Sequence, residues 1–223
     1  MDKRRIVFGD YDTAAHGWTL TPGWKLSDPV QKTNFVDRPG GHGSWNLSTA
    51  LTDGLPRYKD RTLSATFECS EGNRLARKAI IDHMVNALDG RTFDILLPDD
   101  PLRYIVGQVA VAVGYNDMAH AAVTVTATCE PWLYNRYTTE TTLLASAEPQ
   151  QAQLVNAGRL EVVPVLTVTG DGANVLLEYG GDSVALGAGT YQWPELLLTP
   201  GSHVVTYSGT GSVLISYREA VLR

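Results

Sequence analysis

Cysteine is scarce in this chain: among 223 residues only Cys69 and Cys129 occur. They lie far apart and form no C-x-x-C, so the sequence offers neither a dithiol redox motif nor a thiolate zinc pattern. Long apolar runs are missing too. No stretch reaches the roughly 18 residues that would mark a membrane-spanning helix. Basic charge is in short supply, with 18 Lys and Arg against 24 Asp and Glu and a formal charge of −6. That balance argues against a grip on nucleic acid, which needs clustered cations to displace counterions from phosphate. Met1-Asp2-Lys3-Arg4-Arg5 is basic, but no apolar h-region follows it, so no secretory signal is expected. The thiols are expected to stay reduced in a cytoplasm, although a disulfide between them is left open.

What is present favours β structure. Hydrophobic residues make up 43% of the chain, and Val, Thr, Tyr and Leu recur in short runs. In "LSATFEC", Leu63, Ala65, Phe67 and Cys69 share one face of an extended strand, within a run placed at 57–69. In "VTVTATC", Val123, Val125, Ala127 and Cys129 do the same. One segment has helical spacing, "SEGNRLARKAIIDHMVNALDG", and it predicts a helix over about 73–89. Ala76, Ala79, Ile80, His83, Met84, Ala87 and Leu88 form its apolar stripe, with Arg74, Arg77, Lys78, Asp82 and Asn86 opposite. Ser70 or Asn73 suits its N-cap, and Gly90 suits the position after its end. "TFDILLPDDPLRYIVGQVAVAVGY" reads as a hairpin turning at Pro98-Asp99-Asp100-Pro101.

From Asn135 to Gln153 the composition shifts to Thr, Glu, Gln and Ala, and this stretch is the linker candidate. Beyond it, short strands alternate with Gly-centred turns, the pattern of a small β-sandwich. The reading is a mainly β protein of two domains, 1–150 with one α-helix and 151–223 as the sandwich.

The chemistry-bearing motifs fail one by one. "RPGGHGSW" (Arg38–Trp45) lacks the Gly-Lys-Ser/Thr ending of a phosphate loop and has no strand–helix context for a dinucleotide fingerprint. Its glycines are expected to turn the chain at positive φ. The histidines, His16, His42, His83, His120 and His203, show no ligand spacing, and His83 is expected as a hydrogen-bonded core residue. Asp10/Asp12 and Asp99/Asp100 sit in turns, where Asp bonds to its own backbone. No G-x-S-x-G is present. The sequence therefore predicts no catalytic residue, no cofactor and no metal. The aromatics remain: Trp18, Trp24 and Trp45 lie among glycines, open to either interface or core, while Trp132 reads as core.

In this order the segments resemble a known family, the distal tail (Dit) proteins of long, non-contractile-tailed phages. The resemblance rests on four features. They are the turn "RPGGHGSWNLS", the strand "YKDRTLSATFEC", the single helix followed by "ILLPDDPLRYIVGQV", and "VNAGRLEVVPVLTVTGDG" leading into the sandwich. It implies a structural virion component with a galectin-like second domain, and a homo-hexameric ring built by the first. The ring would join the tail tube protein to the tail-tip hub protein, with the tape measure protein as a further neighbour. It would form at the virion tail tip after synthesis in the host cytoplasm, with no membrane partner. DNA would pass its lumen without specific binding, and the acidic balance would suit such a wall.

Interfaces of this kind favour aromatics and Arg, so Trp18, Trp24, Arg38, His42, Trp45, Tyr58 and Arg61 are the expected contacts, with Asp99 and Asp100 at a hairpin tip. About 70 residues of sandwich leave no room for the arms or sugar-binding insertions of some family members. Two alternatives stay open. One is a carbohydrate-binding module presenting Tyr191 and Trp193, and the other is a cell-wall hydrolase with carboxylates the sequence does not reveal.

Overall fold

The computed structural model describes residues 5–52, 54–116 and 120–223; the basic start Met1–Arg4 lies outside them. The chain divides into two compact units, Met1–Pro131 and Trp132–Arg223.

The first unit opens with four two-residue strands, β1 (Val7–Phe8), β2 (Tyr11–Asp12), β3 (Thr19–Leu20) and β4 (Lys25–Leu26). A small hairpin follows, β5 (Phe35–Asp37) and β6 (Ser44–Asn46), and then β7 (Arg61–Cys69). Helix α1 (Arg74–Leu88) leads to β8 (Thr92–Leu97), β9 (Asp100–Asn116) and β10 (Ala121–Asn135), whose last residues enter the second unit. The main sheet runs β2-β1-β8-β9-β10-β7-β3, with β4 also on β7, and β5 and β6 form a sheet of their own. In β7 the expected alternation is realised: Leu63, Ala65, Phe67 and Cys69 are buried while their neighbours are not. This periodicity fixes the antiparallel register with β10, because a slip of one residue would turn every apolar side chain to water. Cys69 pairs with Ala121 and Cys129 with Arg61, so the thiols sit at opposite ends of the ladder. At about 3.3 Å per residue they are too far apart to bridge, and both are free and buried.

The helix forms where the spacing predicts, and Asn73 is its cap: the side chain accepts hydrogen bonds from Leu75 N (2.8 Å) and Ala76 N (3.5 Å). Its buried face is a correction. Of the expected stripe Met84 and Leu88 do point inward, but they are joined by Arg77 and Ile81, while Ala79 and His83 face water and Ala76, Ile80 and Ala87 are half-buried. The pattern misled because Arg77 counts as polar, yet it is fully buried and its guanidinium donates to the Glu71 carbonyl. An arginine stem packs as hydrocarbon once its head is satisfied. His83 is thereby exposed on the surface.

The second unit holds β11 (Thr139–Ala145), β12 (Gln150–Asn156), β13 (Val165–Tyr179), β14 (Asp182–Gly187), β15 (Gly189–Gln192), β16 (Gly201–Tyr217) and β17 (Ala220–Val221). The stretch 135–153, read as a linker, is instead part of this sheet, since β11 and β12 both pair with β16. Its polar composition reflects strands buried on one face only: Leu143 and Leu154 point inward while Thr, Glu and Gln face water.

β16 and β13 each serve two layers. Up to Thr210, β16 pairs with β12 and the second half of β13; from Gly211 on, with β11 and the first half. The register breaks between Thr169 and Asn174, and both strands fold over there. Glycine permits the fold. Gly209 has φ +116°, and a Cβ there would lie 2.1 Å from Asn174 O. The folded-over halves close on one core of Leu143, Leu154, Leu166, Val175, Leu177, Val205, Val213 and Ile215, among others. The mainly β sandwich expected for this region is what forms.

Candidate interaction surface

Between β4 and β7 the chain leaves the sheet as an arm. Backbone hydrogen bonds clasp its base, Lys59 N to Val30 O (2.8 Å) and Lys32 N to Arg57 O (2.7 Å), around a Gln31–Tyr58 bridge. Further out, β5 and β6 pair through Val36 and Trp45. The turn Arg38–Gly43 closes on itself, with Arg38 N donating to Gly43 O and Gly41 N to Arg38 O. Gly40 (φ +69°) and Gly43 (φ +78°) adopt the left-handed backbone expected of them, with open space around both. This is a turn, and among the described residues no group of three or more His, Cys, Asp or Glu is arranged to hold a metal ion.

Every residue from 31 to 47 is exposed, although the arm is rich in large apolar side chains. Phe35 is 60% exposed, Trp45 49% and Leu51 98%, and Val36, Leu47 and Leu55 are exposed with them. Exposed apolar residues standing singly are ordinary, but a cluster on one projecting element marks a contact surface.

The expected contact residues scatter. Arg38, His42 and Trp45 are exposed on the hairpin, and Trp24 and Tyr58 are half-buried near the arm's ends. Trp18 (2% exposed) and Arg61 (4%) are interior, a correction for residues expected at a surface. Trp18 fills the core, and Arg61 Nε donates to Ser27 O at 2.7 Å, fastening the segment that leads into the arm. Asp99 and Asp100 do sit at the β8–β9 turn, but Asp100 is occupied locally by Arg103 (3.2 Å) and Leu102 N (3.3 Å). Phe35, Val36, Leu47, Leu51 and Leu55 were missed. Their signal was apolar residues that follow neither a helical nor a strand period.

Two features outside the arm bear on function. His16 stacks on Tyr11 with ring centroids 4.3 Å apart and lies 4.7 Å from His83, a pairing that sequence distance concealed. In the second unit Trp193 is 8% exposed and belongs to the core, while Tyr191 is half-buried and packs over Gly189. The aromatic pair that motivated a sugar-binding face thus does not form one. Among the described residues no helix is long and apolar enough to cross a membrane.

No protein-family model matches the chain, and no curated protein matches it in sequence. A solved structure does match: the Dit protein of phage SPP1, described as a paradigm of the hub adsorption apparatus in phages infecting Gram-positive bacteria. The two superpose with a TM-score of 0.67 over 96% of this chain and 98% of that one, at 12% identity. The likeness spans both units, and at this identity it is one of fold: the chain is similar in architecture to the SPP1 Dit protein along nearly its whole length.

Proposed function

We propose that this protein is a structural, non-enzymatic component of a phage tail, a distal tail protein at the tail tip. The observation that carries the reading is the correspondence of fold with the SPP1 Dit protein over almost all of both chains. The order of turn, strand, helix, hairpin and sandwich in the sequence supports it independently.

The arm supplies the assembly chemistry. Its apolar side chains are desolvated only by a partner, and at roughly 25 cal/mol per Å² each large side chain so covered favours association by about 1–2 kcal/mol. A second copy of the first unit is the proposed neighbour. Repeated head to tail, such a contact is heterologous and closes as a ring, here of six copies. Phe35, Arg38, His42, Trp45 and Leu51 are its proposed contacts, with Trp24 and Tyr58 at the margins. The tail tube, the tail-tip hub protein and the tape measure protein are the proposed neighbours of the ring.

Light scattering on the purified protein, with negative-stain images of the same peak, tests this. Closed rings of six support the reading. A wild-type monomer whose mass is unaffected by Trp45→Glu, at every soluble concentration and with tube protein added, would overturn it.

A further inference from the structure

The sheet face beneath α1 is left unfinished at one end. Along β9, Ile105, Val109, Val111, Val113 and Tyr115 share one side of the strand, as a period of two requires. Ile105 and Val109 are buried, Val111 is half-buried, and Val113 and Tyr115 stand 52% and 47% exposed. The strand has there outrun its cover, and the first turn of the helix adds Leu75, 77% exposed, beside Val113. Between helix and strand lies a groove of about 530 Å³, lined by Leu75, Val113 and the buried Ile81. Lys78 and Asp82, joined as an ion pair on the helix surface, also border it.

The arm is the counterpart of this groove within the same unit. One is a projecting set of uncovered apolar side chains, and the other an uncovered apolar hollow. They lie far apart in the chain's own fold. Gly114 lies against the Ala122 carbonyl, and Ala122 pairs with Glu68 near the end of β7. The arm instead joins β7 at its start, where Arg61 pairs with Cys129. From Ala122 to Cys129 is seven residues of β10, about 23 Å at 3.3 Å per residue. A surface at one end of a unit and its complement at the other is what a head-to-tail contact needs. Charge agrees with this: the arm's turn carries Asp37 and Arg38, and the groove's border carries Lys78 and Asp82, so each sign has an opposite to meet.

We infer that the groove between α1 and β9 is the socket for the arm of the next copy, with Trp45 seated against Leu75 and Val113. The inference rests on the head-to-tail ring proposed above and names the surface that the arm meets. An indole entering there leaves water together with Leu75 and Val113, so both copies lose apolar exposure in one contact. One arm and one socket per copy leave no unmatched end once the ring closes.

The test uses the full chain. Cys69 and Cys129 are buried, so an introduced surface cysteine is the reactive one. Leu47→Cys, two residues from Trp45 on the arm, is co-expressed with Val113→Cys in the groove and treated with a short bis-maleimide. A covalent dimer is expected from the pair, but not from either variant alone, nor from Leu47→Cys with Leu144→Cys, an exposed position on the second unit. In a second readout Leu75→Glu, shown by circular dichroism to be folded, should lose the ring in light scattering. Wild-type rings combined with no cross-link above the Leu144→Cys control, or with rings that persist in Leu75→Glu, overturn the inference and leave the ring reading standing. Leu75→Glu rings that no longer capture tube protein put that protein in the groove, and the inference falls in the same way. A specific cross-link in a wild-type protein that never closes into rings upholds the socket and overturns the ring. Neither rings nor cross-link overturns both.

Discussion

The Arg38 guanidinium lies over the Trp45 ring, 6.0 Å from its centroid, bracing the two strands of a hairpin that has no core of its own. A cation over an indole contributes about 0.5–1 kcal/mol at an exposed site, too little to hold such an element alone. The arm is fastened at its base and left unsatisfied at its tip, as expected of a segment whose apolar partner is another molecule.

That division predicts how arm variants behave. Phe35→Glu and Trp45→Glu should abolish ring formation through the arm while leaving the thermal midpoint of the protein within a degree or two, because exposed positions shift stability by only about 0.5 kcal/mol. Light scattering and a melting curve on the same samples check this. A large drop in melting temperature would instead place both residues in the folding core.

Gly209→Ala should destabilise the second unit severely, by about 3 kcal/mol or more. The new Cβ would meet Asn174 O at 2.1 Å, and backbone cannot step aside as a side chain can. Gly201 supplies the control. Its φ is similarly positive (+124°) but its surroundings are open, so Gly201→Ala should cost only the backbone strain, about 1–3 kcal/mol. Denaturant melts of the two variants compare the costs directly.

Asn156→Asp should be worse than its near-identical shape suggests. The Asn156 amide donates to Leu160 O (2.8 Å) and Leu198 O (2.9 Å), and its oxygen accepts from Gly158 N (2.9 Å), with the residue only 1% exposed. A carboxylate there would face two carbonyl oxygens without a proton to offer. A loss of about 3 kcal/mol is expected at neutral pH, lessening as acid protonates the new carboxyl. Urea melts at two pH values measure it.

Cys129 lies against Gly107, where a Cβ would approach its Sγ to 2.6 Å. Gly107→Ala should destabilise the first unit, and Cys129→Ala in the same chain should recover part of the loss by vacating the space, a coupling readable in a double-mutant cycle. The thiol itself is pushed up to about 11, chiefly by burial. Burial favours the protonated form, so this contribution to stability is intact below pH 9 and is lost as pH rises toward 11. Cys129 should accordingly resist thiol reagents at pH 8 until the protein is unfolded, as a timed labelling experiment would show.

The elements whose burial is periodic could be read from the residues alone. β10, α1 and the β8–β9 hairpin lie where their spacing puts them, and β7 does so from Arg61 rather than from residue 57, because period-2 and period-3.6 patterns are local and need no knowledge of the partner. The helix limits followed from Asn73 and Gly90, and the Pro98–Pro101 reversal from its own turn residues. In the Asn156–Gly158 motif the sequence offered only a hint. Three-dimensional neighbours explain it: Asn156 ties two carbonyls, and a Cβ on Gly158 would strike Ala220 O at 2.7 Å. The folded structure alone settles that α1 buries Arg77 rather than His83, since a guanidinium satisfied by the Glu71 carbonyl, just ahead of the helix, lets its stem count as apolar. Only it decided that Trp18 and Arg61 are interior while Phe35 and Leu51 face water. Composition cannot separate these cases, because the same aromatic or aliphatic side chain is stabilised by burial in its own core or by a partner's surface, and that choice is made by where the chain leaves the sheet.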